Sequence, residues 1–217
     1  MIDTFDSRAL RRTDCYGQRF MRAGSYHYNV LAPLGHCMTE ERPFVVNVKR
    51  RSKKDSMVQH TIAVTFEAGR FGVDCKELAI ETGDLVLWNC QSSKAIPFTV
   101  AGDKDFFASD RMINECGYSH AFASAGNFRW VDAYGSSLDG IVHVKDPGCK
   151  DKASFQRWQQ LLAKGTVVMI DNNRAQPREV EIVTGQTVFF AIAEAPGISI
   201  TDERILKTHP AWPAGQR

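Results

Sequence analysis

No apolar run in this 217-residue chain approaches the roughly 20 residues that a membrane-spanning helix needs. The opening MIDTFDSRALRRTDC has no apolar stretch and no small-residue cleavage site, so it does not read as a secretory signal. A cytoplasmic protein is the expectation. There is little excess of charge either: the net charge of +2 points away from nucleic acid and from membrane surfaces as partners. Six cysteines, at 15, 37, 75, 90, 116 and 149, form no C-x-x-C pair. That spacing argues against zinc and, in a reducing compartment, for free thiols. No G-x-S-x-G and no phosphate-binding glycine loop occurs, so the common nucleophile and nucleotide motifs are missing.

What the chain does have is an internal repeat. FDS from Phe5, FMRAGSYHY from Phe20 and PFVVNVK from Pro43 match FAS from Phe107, FASAGNFRW from Phe122 and DGIVHVK from Asp139. A second correspondence relates IETGDLVLWN from Ile80 to IVTGQTVFFA from Ile182, and TIAVTF from Thr61 to TVVMID from Thr166. Repeats of this kind set the architecture before any single residue does. The order predicts one complete module over 60–146 and a second, split module made of 1–49 with 165–202. A basic linker over 50–59 and a tail over 203–217 complete the chain. The split module closes either within one chain, with the termini meeting, or head to tail between chains, which would build rings or filaments.

Most segments alternate apolar and polar residues over four to seven positions, as in TIAVTF, LVLWN, FRWVD and IVHVK. That is the period of half-buried strands, and the β-branched and aromatic content agrees. An all-β fold of short strands in sandwich form is expected. One helix is expected over about 152–164, with Phe155, Trp158, Leu161 and Leu162 on one face and Gly165 as a left-handed cap.

Phe-x-Ser-x2-Met, Gly-Tyr-x-His-x-Phe-x3-Gly-x-Phe-x-Trp and Gly-x-Val-x-Val, from Phe107 to Val144, resemble the cupredoxins, the plastocyanin and azurin superfamily. TGDLVLWNCQSSKAIPFTV resembles that family's strands before its first copper ligand. The resemblance implies two Greek-key β-sandwich modules, one circularly permuted, and it locates the copper ligands. The first histidine position holds Phe98 or Gly197, and the cysteine position holds Asp132 or Val30. The following loop is AYGSSLDG in one module and LAPLGHCM in the other. A type 1 copper centre needs a thiolate and two imidazoles together, so the ligand set is largely lost and no cofactor is expected.

Candidate site residues remain. His27, His36, Cys37 and Met38 are the metal candidates, with copper as the alternative function. Met112, Cys116 and His120 recur every four residues, and Asp132 and Asp139 flank Tyr134. Either group could be a small site, but a turn-forming role for Asp132 is the simpler reading. Arg50, Arg51, Lys53 and Lys54 form a basic cluster, and Trp212 sits between prolines in the tail. These five are the interaction candidates. The function expected is a non-catalytic structural, assembly or accessory subunit acting through protein–protein contacts, as a homo-oligomer or in a larger complex.

Overall fold

The computed structural model describes residues 4–33, 40–52, 56–92, 96–103 and 107–208. The fold is all-β. Eight strands form the first half: β1 (Asp14–Arg19), β2 (Gly24–Leu31), β3 (Phe44–Lys49), β4 (Gln59–Glu67), β5 (Arg70–Val73), β6 (Glu77–Glu81), β7 (Leu85–Asn89) and β8 (Thr99–Gly102). The second half repeats them as β9 (Met112–Ala121), β10 (Gly126–Val131), β11 (Asp139–Lys145), β12 (Thr166–Asp171), β13 (Arg174–Gln176), β14 (Glu179–Val183), β15 (Thr187–Ile198) and β16 (Thr201–Asp202). Helix α1 (Lys152–Leu162) precedes β12, and α2 (Glu203–Thr208) follows β16.

One eight-stranded sheet runs β13-β12-β15-β9-β1-β7-β4-β5, and two four-stranded sheets run β14-β11-β10-β16 and β6-β3-β2-β8. Every strand of one half has its counterpart eight strands later in the same relative place. At the centre of the large sheet β1 and β9 pair antiparallel, with Tyr16 opposite Tyr118. These tyrosines are 102 positions apart, the spacing of the repeat, so a pseudo-twofold axis passes through the pair.

Directly opposed side chains share a face of a sheet, and both tyrosines point into the core. Tyr16 stacks on Trp88 with centroids 5.7 Å apart, and Trp88 meets Tyr28 of β2 edge-on at 5.4 Å. Tyr118 stacks on Phe190 at 6.1 Å, and Phe190 meets Trp130 of β10 at 5.4 Å. Both small sheets therefore cover the same face of the large one.

The modular boundary differs from the sequence expectation. Strands β4 to β8 do not pair with β9 to β11 as a 60–146 unit requires. Instead β3 pairs with β6 in parallel and β2 with β8, while β11 pairs with β14 and β10 with β16. Each half of the chain is thus a contiguous two-sheet unit. Besides the β1–β9 pairing, a pair of short straps crosses between the halves. Phe5 to Ser7 runs along β16, with the Ser7 amide donating to Ile200 O at 3.0 Å and the Asp202 amide to Phe5 O at 2.9 Å. Phe107 to Ser109 runs along β8 in the same way, through Ser109 to Val100 O at 3.0 Å and Gly102 to Phe107 O at 2.8 Å. The serine of each strap accepts an amide proton, from Ile200 and from Val100. That is why the repeat spells Phe-x-Ser.

The helices also correct the expectation. Helix α1 opens on a capping box between Asp151 and Ser154 and closes at Ala163 in right-handed conformation, not at Gly165. It docks on the turn after β14, with Trp158 Nε1 donating to Thr184 O at 2.8 Å and Gln186 Nε2 to Leu161 O at 2.6 Å. Residues 203–208, expected as tail, form α2, where the Arg204 guanidinium lies 5.0 Å over the Phe128 ring. No helix among the described residues is long and apolar enough to cross a membrane.

Packing is tight where β10 and β11 meet. A Cβ on Gly140 would fall 2.5 Å from Arg178 O and 2.6 Å from Trp130 Nε1. Because one of these atoms is backbone, Gly140→Ala is expected to lower stability by about 1–3 kcal/mol. A urea titration should show the midpoint falling with an unchanged slope.

Candidate functional site

Two features stand out once the sheets are in place. The first is a cleft of about 390 Å³ lined by residues of the N-terminal strap, Asp110, Tyr134, Pro33, Pro97 and α2. Residues 5–10 bridge the two small sheets beside it, since Asp6 pairs with Thr201 and Leu10 with Phe98. The strap presents a bidentate ion pair: Arg8 Nε donates to Asp6 Oδ1 and Arg8 Nη2 to Asp6 Oδ2, both at 2.9 Å. Burial alone would pull the Arg8 guanidinium down, but its bond to Asp6 and the fields of Tyr134 and Asp110 hold it above its ordinary value. Tyr134 is pushed up to about 12, by burial first and then by Asp110. The Arg111 guanidinium lies 4.9 Å over its ring.

Asp6, Arg8 and Asp110 were not foreseen as a group. The signal was present in the repeat: the straps read FDSR and FASD, so their polar chemistry lies where the two copies differ. Both side chains of the Asp6–Arg8 pair are only 10% exposed. Cutting one partner of such a pair strands a buried charge. Asp6→Asn is therefore expected to cost about 3–5 kcal/mol. The double variant Asp6→Leu/Arg8→Met is expected to recover most of that loss in the same denaturation assay.

The second feature is the outer face of the eight-stranded sheet. Residues alternating with the core positions stand on it: Leu85 and Leu87 on β7, Phe189 and Ala191 on β15, Val167 and Met169 on β12. Val167 and Met169 are 46% and 48% exposed. Gly17 and Gly117 lie between them, and the Leu87 and Phe189 side chains lie so close that a Cβ would meet them at 2.8 and 2.4 Å. These residues form an apolar band on a face that also carries Thr61 on β4, Asn89 on β7, Ser119 on β9 and Thr187 on β15. The small sheets differ outside. There Lys145 pairs with Glu181, Arg129 with Asp139, and Asn47 bonds both Ser25 and Glu77.

No protein-family model matches this chain, and neither a curated protein nor a solved structure matches it.

The predicted site residues scatter. His27 stands exposed on β2, on the solvated side of its small sheet and opposite Val45. His36, Cys37 and Met38 lie outside the described residues. At the two positions where the cupredoxin resemblance would expect cysteine, Val30 is buried core and Asp132 is a turn former. Asp132 Oδ1 accepts from the Tyr134 and Ser199 amides, and Oδ2 from the Ser136 amide. It does not meet Asp139, which pairs with Arg129 and Arg178. Met112, Cys116 and His120 share strand β9, where four residues span about 13 Å. No group of three potential metal-ligating His, Cys, Asp or Glu side chains occurs among the described residues. His120 instead bonds the buried Asp14 carboxylate at 2.6 Å, and the Tyr118 hydroxyl donates to the same oxygen at 2.7 Å. The Cys116 thiol is pushed up to about 12, mainly by burial.

Of the interaction candidates, Arg50 is exposed, while Lys53, Lys54 and Trp212 lie outside the described residues. Arg51 is engaged within the fold. Its guanidinium pairs with Asp84, and its Nε donates to Thr82 O at 3.0 Å. Asp84 also accepts the Val58 amide at 2.9 Å and the Glu81 amide at 3.1 Å, and bonds His60 Nε2 at 3.1 Å. Burial opposes the charge of Asp84, yet the donated hydrogen bonds and Arg51 together lower its pKa below the ordinary 3.8. A carboxylate depressed in the folded state contributes its full stability above the unfolded pKa and loses it as pH falls through the folded one. Stability should therefore drop on acidification below about pH 4. Asp84→Asn should flatten that limb of a stability-against-pH curve.

Proposed function

We propose that this chain is a non-catalytic structural, assembly or accessory subunit, built from two cupredoxin-like modules and acting through protein–protein contacts. The apolar band on the outer face of the eight-stranded sheet, with Val167 and Met169 exposed, carries this reading. Contiguous apolar surface on a soluble domain marks a place where another surface sits. The contrast with the small sheets sharpens it. Their outer positions carry ion pairs and amide hydrogen bonds, as solvent-facing strands do, whereas the large sheet has Leu87, Phe189, Val167 and Met169 as an apolar band among Thr61, Asn89, Ser119 and Thr187. An electron-transfer role would leave this face without a use.

The test is native mass of the purified protein together with affinity capture from its source. Association, with itself or with a defined partner, is the expected outcome. A monomer of 24.3 kDa that captures nothing would sink the proposal.

A further inference from the structure

A recess of about 300 Å³ opens where the β12–β13 hairpin meets the loop before β11. Ser137, Asn173, Arg174, Gln176 and Arg178 line it around the Asp139 carboxylate. We propose that this recess binds a phosphate monoester, held by the Arg174 and Arg178 guanidinium groups. The proposal goes beyond the assembly reading and does not depend on it.

The first argument is charge. Asp139 Oδ2 accepts from Arg129 Nη2 at 3.0 Å, and Oδ1 accepts from Arg178. Both carboxylate oxygens are therefore engaged. Arg174 makes no ion pair among the described residues. Asp171, opposite it in the hairpin, takes the Asn172 amide on Oδ1 at 3.0 Å. Glu203 lies 3.9 Å from Arg129 but is bonded by Lys207 at 2.8 Å. Three guanidinium groups against one carboxylate leave two positive charges in one place. A phosphate monoester carries about −1.5 to −2 at pH 7.

The second argument is donor chemistry. A guanidinium has five N–H donors in a planar fork that matches phosphate oxygens, so Arg178 can hold Asp139 and still donate. Asn173, Gln176 and Ser137 add neutral donors beside it. The recess sits at the small end of the roughly 300–1,000 Å³ of ligand sites, which leaves room for the group that the phosphate esterifies.

The third argument is divergence between the halves. The first half has His27 where the second has Arg129, each one strand away from the β3 or β11 residue it faces. It has Pro43 for Asp139 and Lys76 for Arg178, since Val45 bonds Lys76 O as Ile141 bonds Arg178 O. Its mate hairpin turns through Gly69 instead of Asn173, and only Arg70 repeats Arg174. The shared strands fold without these polar groups, so the fold alone does not account for their gathering in one half.

The test is calorimetric titration of the whole chain, at constant ionic strength, with inorganic phosphate, O-phosphoserine and a phosphoserine peptide; unmodified serine is the blank. Both esters should bind, and more tightly than inorganic phosphate. Phosphoserine against the peptide separates a small-molecule source from a modified side chain of a partner. Arg174→Ala and Arg178→Ala should each weaken binding at least about tenfold, and Arg174→Lys, which keeps the charge but loses the fork, should weaken it less. Arg174 and Arg178 are exposed, so the core is left intact, which circular dichroism checks. Arg70→Ala is the control and should bind as the wild type does. No binding of any phosphate would overturn the proposal. So would binding that Arg174→Ala leaves unchanged, or that Arg70→Ala weakens equally.

Discussion

The antiparallel pairing of β1 with β9 is the constraint on which the rest depends. It joins two four-stranded half-sheets into one, and its register places Tyr16 against its own repeat mate Tyr118. A slip of one residue would turn one of the two rings out of the core, because strand side chains alternate faces. Buried polar groups hold this register. Tyr118 and His120 both reach Asp14, which lies opposite His120, while across the axis the Tyr16 hydroxyl donates to Gln18 at 3.0 Å. Repeat mates at the axis therefore solve the same problem with different chemistry. Burial and the Asp14 charge hold the Tyr118 hydroxyl well above its ordinary pKa, so it stays a donor.

With that pairing fixed, the remaining features follow. Both core-facing tyrosines lie on one side, so both small sheets pack on that side. They approach each other over β1 and β9, and the N-terminal strap bridges them there. The Asp6–Arg8 pair belongs to that strap, and the cleft opens beside it. Among the described residues, the same geometry leaves the opposite side of the large sheet with Val167 and Met169 exposed.

Strand identity and fold class were legible in the sequence, since alternation in segments such as LVLWN and IVHVK is a direct consequence of half-burial. The pairing of the halves was not. The repeat runs in the order second half, first half, second half, first half, and each inner segment matches either of its neighbours equally well. Motif order from the cupredoxin resemblance favoured joining 60–103 to 107–146. The structure joins 14–49 to 59–102 and 112–145 to 166–202 instead, with only Phe5 to Ser7 and Phe107 to Ser109 exchanged. Periodicity reports which face a residue occupies and is silent on which strand lies beside it. The basic character of 50–59 was similarly ambiguous. Four cations within five residues suggest a solvated cluster, but Arg51 is held by Asp84 in a turn that the second half builds with Gln186.

That last comparison shows where the two halves have diverged and what the divergence does. TGDL in one copy gathers Arg51, His60 and two amides onto Asp84. TGQT in the other uses Gln186 to bond Leu161 O and Lys164 O, which seats the end of α1. One turn anchors a linker by charge, and its mate anchors a helix by amide hydrogen bonds. Divergence of this kind recurs in turns, in straps and at the axis, where a side chain chooses its neighbour. It reaches the outer face of the large sheet as well: beside Leu87 and Asn89 the first half places Thr61 and Ala63, and beside Phe189 and Ala191 the second half places Val167 and Met169. The fold needs only the core-facing positions to match between copies, so the outward positions of paired strands vary while the alternation that builds the sheet is kept.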